Sequence, residues 1–196
     1  MFGALPPATR TLLLLTIGAF LLQSLAYESV VQLFALWPVG TPLFHPWQVL
    51  SYAFLHGSFL HLFLNMFALF MFGRELELTW GAKRFAIFYF ACVLAAAATQ
   101  LAVMHASGAV YPTVGASGGV FGLLLAYAMY FPHSRITLLF PPIPMPAWLF
   151  VTLYGIIELV LGVTGTQEGV AHFAHLGGML GGAALILYWR AARRRA

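Results

Sequence analysis

The strongest constraint on this chain is its set of long stretches without any Asp, Glu, Lys or Arg. Five such stretches cover residues 11–27, 29–73, 85–134, 136–157 and 169–189. Several are longer than the ~20 residues that a helix needs to cross a hydrocarbon core of ~30 Å. Hydrophobic residues make up 62% of the sequence and charged residues 7%, whereas about a quarter of the residues in soluble domains are charged. The sequence therefore predicts an all-α polytopic membrane protein.

Glycine, proline and polar clusters divide these stretches into six predicted transmembrane spans, within one membrane-embedded domain that covers residues 1–196. The spans lie at about 10–27, 58–74, 84–104, 115–131, 146–163 and 169–189. The segment at about 28–57 is aromatic and nearly uncharged, so we expect it in the headgroup region. Its prolines, Pro38, Pro42 and Pro46, argue against one continuous helix there. The prolines of residues 132–146 predict an irregular connector.

The positions of the basic residues predict the orientation of the chain. All nine Lys and Arg lie on one side of the membrane if both termini are cytoplasmic, in agreement with the positive-inside rule. They are Arg10, Arg74, Lys83, Arg84, Arg135, Arg190, Arg193, Arg194 and Arg195. The first span can also be interpreted as a signal peptide, because a Leu-rich core follows Arg10 and precedes Ser24-Leu25-Ala26. Cleavage there would leave the rest of the topology unchanged.

Two further features exclude classes of function. The only cysteine, Cys92, lies inside a predicted span, so the chain has no internal disulfide. The net charge of +4 does not indicate a nucleic-acid partner, because the basic residues lie between apolar segments and do not cluster on a soluble face.

Three of the predicted spans bring polar side chains to a similar depth near the outer surface. With both termini inside, the second, fourth and sixth spans run from the outer face inward. They then carry His61 and Asn65, Ser117, and the pair His172 and His175 in their first turns. Polar groups inside a membrane are costly and are functional candidates by default. Each histidine could instead be hydrogen-bonded to a neighbouring helix and serve packing alone.

Glycine spacing predicts close packing of the fourth and sixth spans. Gly118 and Gly122 follow Ser117, and Gly178 and Gly182 lie three and seven residues after His175. Pairs of small residues four apart allow membrane helices to approach closely. Packing alone would explain the glycines, but it would also bring Ser117 within reach of His175.

These residue types indicate nucleophilic catalysis. A serine hydroxyl needs a base to take its proton, and histidine is the usual base. The chain contains no Asp, so a Ser-His-Asp triad is impossible and a Ser117–His175 dyad is predicted. Asn65, His61 and the Ser117 backbone N–H could stabilise a developing oxyanion. The sequence leaves open whether Glu158 is a protonated hydrogen-bonding group or lies at the outer lip.

The motifs around these residues resemble those of the rhomboid family of intramembrane serine proteases. His61-Leu-Phe-Leu-Asn65 is similar to the family's HxxxN, Gly115-Ala-Ser117-Gly118 to its GxSG, and Ala174-His175 through Gly178 and Gly182 to its AHxxGxxxG. Each falls on the expected span in the expected order. Gly73, Glu77 and Gly81 also resemble the second-to-third loop of the family. The resemblance covers essentially the whole chain, in the minimal form with six transmembrane helices.

The resemblance implies a role for each site residue. Ser117 is implied as nucleophile and His175 as base, and His61 and Asn65 as oxyanion stabilisers. His172 lies one turn before His175, but only His175 has glycine at the third and seventh following positions. The supporting residues are His56, Gly115, Gly118, Phe121 and Gly178.

Two positions depart from the family pattern. Trp47-Gln48 stands where a Trp-Arg pair is common, which puts in doubt any interfacial role of that arginine. Phe121 stands where some members have tyrosine, so the ring can still pack on His175 but the hydroxyl is lost.

The implied function is an intramembrane serine endopeptidase that needs no cofactor or metal. Its partners would be transmembrane protein substrates and the lipid bilayer, and its implied location is the cytoplasmic (inner) membrane of a prokaryote, with the active site toward the outer face. One alternative is a catalytically inactive rhomboid-like protein that binds membrane clients. Another is a transporter or redox protein whose outer histidines ligate a metal or haem. The oligomeric state and the physiological substrate are not predicted.

Overall fold

A computed structural model describes residues 5–137, 142–166 and 170–195, and this part of the chain is mostly helical. Its helices and strands, in chain order, are α1 (Pro7–Leu25), α2 (Tyr27–Phe34), α3 (Gln48–Ser51), α4 (Phe59–Ala68), α5 (Arg74–Trp80), α6 (Ala82–Ser107), α7 (Ser117–Tyr130), β1 (Arg135–Thr137), β2 (Pro144–Pro146), α8 (Ala147–Thr164) and α9 (His172–Arg193). A 3-10 turn, Tyr52–Phe54, follows α3, and a π turn, Leu69–Gly73, joins α4 to α5.

Each predicted span overlaps a helix, and four helices are long and apolar enough to cross a membrane. These four are α1, the continuous unit Phe59–Trp80, α6 and α8. The fourth predicted span corresponds to α7, which has only 14 residues and a length of about 21 Å. The sixth corresponds to α9, in which two histidines and four glycines dilute the apolar residues. Residue 169, where that span was predicted to begin, lies outside the described residues. The crossing of a bilayer by all six spans remains a prediction.

The second helical unit is longer than the predicted span of 58–74. It continues through α5 to Trp80, although α5 carries Arg74, Glu75 and Glu77. Glu77 is buried because its carboxylate binds the start of α1. One oxygen accepts from the Ala8 N–H at 2.8 Å, and the other accepts from the N–H and hydroxyl of Thr9 at 2.6 and 2.7 Å. These bonds satisfy backbone donors that the first turn of α1 leaves free.

The outer segment, at about 28–57, is not one continuous helix, as its prolines predicted. Gln48 organises it from a fully buried position. Its side-chain oxygen accepts from the N–H groups of Trp37 and His45 at 3.3 and 3.1 Å, and its amide donates to the Leu43 carbonyl at 2.8 Å. Gln48, which stands where the family that the motifs resemble commonly has arginine, therefore holds this loop together through backbone contacts.

The connector at 132–146 is more regular than predicted. Arg135–Thr137 and Pro144–Pro146 pair as an antiparallel two-stranded sheet. The prolines are compatible with it because they lie at the ends of β2, on an edge strand where a missing N–H is tolerated. The intervening residues 138–141 are outside the described part of the chain.

The centre of the bundle is formed by α6, α7 and α9, and α9 packs mainly on the other two. A Cβ built on Gly178 would clash with the backbone carbonyl of Gly118, so α7 and α9 approach at backbone distance. The contacts of Gly118 and Gly122 agree with the predicted close packing of the fourth and sixth spans, and they add a second neighbour, α6. A Cβ on Gly118 or Gly122 would also clash with the side chain of Ala96 or Cys92 on α6, because α6, α7 and α9 all pack on one another and these glycines of α7 face both neighbours.

The outer helices bear apolar side chains on their surfaces. Leu14, Leu21 and Leu22 of α1 are between 56% and 63% exposed, and Ile156, Leu159 and Val160 of α8 between 49% and 53%. Exposed surfaces of this kind suit a lipid environment. The basic end of the bundle lies away from Ser117: Arg190 packs over Tyr130 at the far end of α7, and Arg84 stacks on Trp189 with 4.1 Å between the guanidinium and the ring centroid.

Candidate active site

The site is built around a hydrogen bond between Ser117 and His175. The hydroxyl oxygen of Ser117 lies 2.7 Å from Nε2 of His175. Ser117 is the first residue of α7 and His175 lies in the first turn of α9. Two helix starts that pack at the Gly118–Gly178 contact thus bring together residues 58 positions apart.

Gly115 gives the chain its approach to Ser117. Its φ is +131°, and a Cβ at this position would lie 2.9 Å from Cε1 and 3.0 Å from Nε2 of His61. Only glycine adopts this backbone conformation readily. The turn therefore places His61 directly beside the residue that leads into α7.

The ring of Phe121 stacks on the imidazole of His175, as the sequence predicted. The ring centroids are 4.3 Å apart and the planes differ by 5°. Phe121 lies one turn after Ser117 on α7, so the helix that carries the hydroxyl also supports one face of its partner. The ring restricts rotation of the imidazole.

Glu158 is the site residue whose contacts the sequence did not predict. It is 6% exposed, so it does not lie at the outer lip. Its Oε2 atom is 2.8 Å from Nδ1 of His175 and 2.7 Å from Nδ1 of His172. The proposed dyad is thus part of a longer hydrogen-bonded chain that runs Ser117, His175, Glu158, His172. The only sequence signal was a carboxyl group inside an apolar span.

His61 and Asn65 both line the same cavity as Ser117 and His175. The side-chain amide of Asn65 donates to the His61 carbonyl at 2.9 Å, and the second N–H of that amide is available for another acceptor. The ring of His61 is held at Nδ1 by the Gly57 N–H, at 3.4 Å. Of the polar groups predicted to meet at one depth, Ser117, His61, Asn65 and His175 line one cavity, whereas His172 is buried and contacts Glu158.

His56 is buried next to the ring of His61, and its hydrogen bonds are to groups that hold the fold together. Its backbone N–H donates to the Gln23 side chain at 3.0 Å, and its Nε2 accepts from the Ala116 N–H at 3.5 Å. Burial and the neighbouring His61 ring lower the pKa of His56 to about 3. A neutral imidazole can accept the Ala116 N–H, so His56 supports the turn just before Ser117.

The cavity has a volume of about 990 Å³. Its polar wall contains Ser117, His175, His61, Asn65 and Glu158, the one acidic residue among the described residues that line it. Its apolar wall is formed by side chains of the α4–α5 unit, α7 and α8, including Leu64, Phe72, Leu124, Phe150 and Tyr154. A volume of this size lies at the upper end of the range typical of ligand pockets.

The cluster of Glu158, His172 and His175 contains residue types that bind metals. One donor atom each from Glu158, His172 and His175 lies within 4.8 Å of the others, and imidazole with carboxylate suits a transition metal. Direct hydrogen bonds between the two Nδ1 atoms and the carboxylate account for this arrangement without an ion.

Comparison with known proteins places these features in context. The model of the Rhomboid domain family matches residues 43–192. The chain is 33% identical to Rhomboid protein 1, mitochondrial, of Saccharomyces cerevisiae over 137 residues, which are 69% of this chain and 39% of the yeast protein. It is 29% identical to Rhomboid-like protease 3 of Toxoplasma gondii over 184 residues, 93% of this chain and 60% of that protein.

A bacterial relative is similar over a shorter part. Rhomboid protease GlpG of Klebsiella pneumoniae is 29% identical over 122 residues, which cover 62% of this chain and 42% of the relative. The aligned regions therefore span between 39% and 60% of the lengths of these three relatives.

Proposed function

Because the chain belongs to the rhomboid family of integral membrane proteins, we propose that it is an intramembrane serine endopeptidase that cleaves transmembrane protein substrates. The observation that carries this proposal is the 2.7 Å contact between the Ser117 hydroxyl and His175 Nε2 inside a 990 Å³ cavity. A serine next to an imidazole acceptor is the basic requirement for nucleophilic catalysis.

The proposed reaction has two halves that use the same two residues. Ser117 Oγ bonds to the carbonyl carbon of the substrate while its proton moves to His175 Nε2. The carbonyl electron pair moves onto oxygen and returns as the C–N bond breaks, and the leaving amine takes the proton from Nε2. Water then attacks the acyl ester of Ser117 in the same way and releases the acid and the free serine.

The oxyanion would lie between the start of α7 and α4. The Ser117 N–H belongs to the first turn of α7, where backbone donors have no intrahelical acceptor. The free N–H of Asn65 and the His61 ring line the same cavity. Donors that point to developing negative charge in a site of this kind lower the barrier, and the loss of one costs roughly 10²–10³ in rate.

We expect the substrate to enter the cavity from the bilayer, with its helix unwound around the peptide bond that is cut. A helical carbonyl is already hydrogen-bonded and shielded, so we expect substrates with Gly, Pro or small residues near the cut. Entry would require motion of the outer loop or of α8, which contributes Phe150, Tyr154 and Glu158 to the wall. The basic residues near Tyr130 and Trp189 lie at the opposite end of the bundle, which supports a site near the outer face and cytoplasmic termini. A prokaryotic inner membrane would suit this orientation.

The test uses purified protein in detergent or liposomes with a model single-span substrate. Wild type should release two fragments, and Ser117→Ala and His175→Ala should abolish cleavage. His105→Ala is a matched control, because His105 is exposed at the end of α6. Cleavage by Ser117→Ala at the wild-type rate would disprove the proposal.

Two other outcomes would identify a different function. Stable capture of the substrate without cleavage by wild type would indicate a client-binding protein. The cluster of Glu158, His172 and His175 makes a metal-binding function the specific competitor. Stoichiometric zinc or iron in the purified sample, lost on His172→Ala, would favour it.

A further inference from the structure

We infer that Glu158 is a positioning residue for the proposed reaction: it holds His175 in the orientation and tautomer that accept the Ser117 proton, and His172 anchors it there. The inference rests on the proposed function, and it replaces the predicted dyad by a chain of four side chains. The carboxyl group comes from α8, whereas both imidazoles come from α9.

The Glu158 carboxylate is hydrogen-bonded to both imidazoles. A single oxygen, Oε2 of Glu158, lies 2.8 Å from His175 Nδ1 and 2.7 Å from His172 Nδ1. Glu158, His175 and His172 are 6%, 8% and 5% exposed. Buried contacts of this length between a carboxylate and ring nitrogens are charge-assisted hydrogen bonds, which define the direction of both rings.

The contact with Glu158 determines which ring nitrogen of His175 carries the proton. An ionised carboxylate can only accept hydrogen bonds, so a ring nitrogen bound to it carries the proton. With the proton on Nδ1, a neutral imidazole has its lone pair on Nε2, and Nε2 is the atom that faces the Ser117 hydroxyl at 2.7 Å. The contact with Glu158 therefore selects the tautomer that a general base needs.

The Glu158 carboxylate also stabilises the positive charge that His175 acquires during the reaction. When the Ser117 proton moves to Nε2, His175 becomes an imidazolium with a proton on each nitrogen. The Glu158 carboxylate then lies in direct contact with a full positive charge, in a site where the effective dielectric constant is far below that of water. The attraction increases as the transition state forms, so it accelerates the reaction and does not merely bind the ring.

His172 anchors the Glu158 carboxylate. Its Nδ1 donates to the same oxygen, and its Nε2 is buried without a hydrogen-bond partner among the described residues. The Ser117 hydroxyl is hydrogen-bonded to His175, whereas His172 is hydrogen-bonded to Glu158. His172 is therefore a second donor to Glu158 and not a competing base. Its Cβ also packs at Gly162 of α8, where an added Cβ would lie 3.2 Å away. Glu158 is therefore held by two hydrogen bonds from α9, and His172 is itself held against α8 by its contact with Gly162.

The experiment compares Glu158→Gln, His172→Ala and His172→Asn with wild type. Three quantities are measured: kcat and KM for the single-span substrate, and the rate at which a small fluorophosphonate probe labels Ser117. Glu158→Gln should lower kcat and the labelling rate together by roughly 10²–10⁴, with KM nearly unchanged. A structural defect at the substrate-binding wall would instead raise KM and leave the small probe fast. Glu75→Gln is the matched control, because the Glu75 side chain on α5 is half-exposed.

His172→Asn tests the anchor by rescue. An Asn amide can donate from nearly the position of a histidine Nδ1, whereas Ala cannot. We expect His172→Ala to lower kcat about 10-fold, as for the loss of one hydrogen bond to a charged group, and Asn to restore most of it.

The outcomes separate the inference from the function on which it rests. An active wild type with a Glu158→Gln variant that labels and cleaves at the wild-type rate would overturn the inference and leave the protease intact. A wild type that neither cleaves nor labels would overturn the proposed function itself. If Glu158→Gln does not fold, equal rates for His172→Ala and wild type would overturn the inference, whereas loss in Ala with rescue in Asn would support it.

Discussion

The aromatic ring of Phe121 lies parallel to the imidazole of His175, 4.3 Å from it and on the helix that carries Ser117. Glu158 holds the same imidazole at its edge through Nδ1. One contact restricts the plane of the ring and the other restricts its rotation within that plane. The position of the proposed base is thus defined from two directions by two different helices.

Replacing Phe121 by Leu should lower kcat and, because Phe121 is buried in the core, also the free energy of unfolding. A stacked aromatic pair is worth about 0.5–1.5 kcal/mol beyond burial, which corresponds to a decrease in kcat of about 2- to 12-fold. Phe121→Tyr keeps the ring and should remain close to wild type. Steady-state cleavage of a single-span substrate measures both. A Leu variant as active as the Tyr variant would show that the stacking has no role.

Replacing Asn65 by Ala should lower kcat by roughly 10²–10³, the typical cost of one oxyanion donor, with little change in KM. Asn65→Asp keeps the size but replaces the donor by an acceptor, so it should be equally inactive. Kinetics of both variants, with melting temperatures measured in the same detergent, would check this. A large rise in KM with normal kcat would instead assign Asn65 to substrate binding.

Replacing Gly115 by Ala should slow the reaction by displacing His61. The φ of +131° is unfavourable for alanine, and the added Cβ would lie 2.9 Å from the His61 ring. The backbone strain alone is about 1–3 kcal/mol, and a displaced site group can cost up to about 10²-fold in rate. Gly57→Ala is the control on the other side of His61, because its Cβ would be 4.0 Å from Nδ1. Comparable loss in both variants would contradict the specific role of Gly115.

Replacing Gly178 by Ala should destabilise the helix bundle strongly. Its Cβ would overlap the Gly118 backbone, which cannot move aside as a side chain can. We expect the upper end of the about 1–3 kcal/mol range for overpacking, together with loss of activity. Gly18→Ala in α1 meets no atom within 4 Å and should be neutral or stabilising. Thermal unfolding monitored by circular dichroism would compare the two, and a Gly178→Ala variant as stable as Gly18→Ala would contradict the close contact.

Replacing Glu77 by Gln should lower the free energy of unfolding and leave the chemistry unchanged at low temperature. The substitution turns one acceptor at the start of α1 into a donor that faces the N–H of Ala8 or Thr9. An unsatisfied buried group of this kind costs about 1–3 kcal/mol. Glu75→Gln, in a half-exposed pair with Arg74, should cost at most about 1 kcal/mol. Equal melting temperatures for the two variants would contradict this role.

Local sequence patterns indicated four candidate site residues, Ser117, His175, His61 and Asn65, and the helices that carry them, but not the contacts of Glu158. The spacing of His61 and Asn65, of Ser117 and Phe121, and of His175 and Gly178 is local, because positions three or four apart lie on one face of a helix. The same local signals predicted six apolar spans, each of which overlaps a helix of the structure. Helix ends were less well determined: the second unit extends to Trp80 because a buried contact with α1 compensates the charge of Glu77.

The way in which those helices meet follows from their three-dimensional packing. Glu158 is 17 positions from His175 and 14 from His172, and no periodicity relates a residue of α8 to one of α9. The pairing of Gly178 with Gly118, and of Gly122 with Cys92, likewise depends on which helix faces which. Local patterns specify which groups a helix presents, but contacts between helices follow from three-dimensional packing, and for that reason the carboxylate partner of His175 could not be predicted from the chain alone.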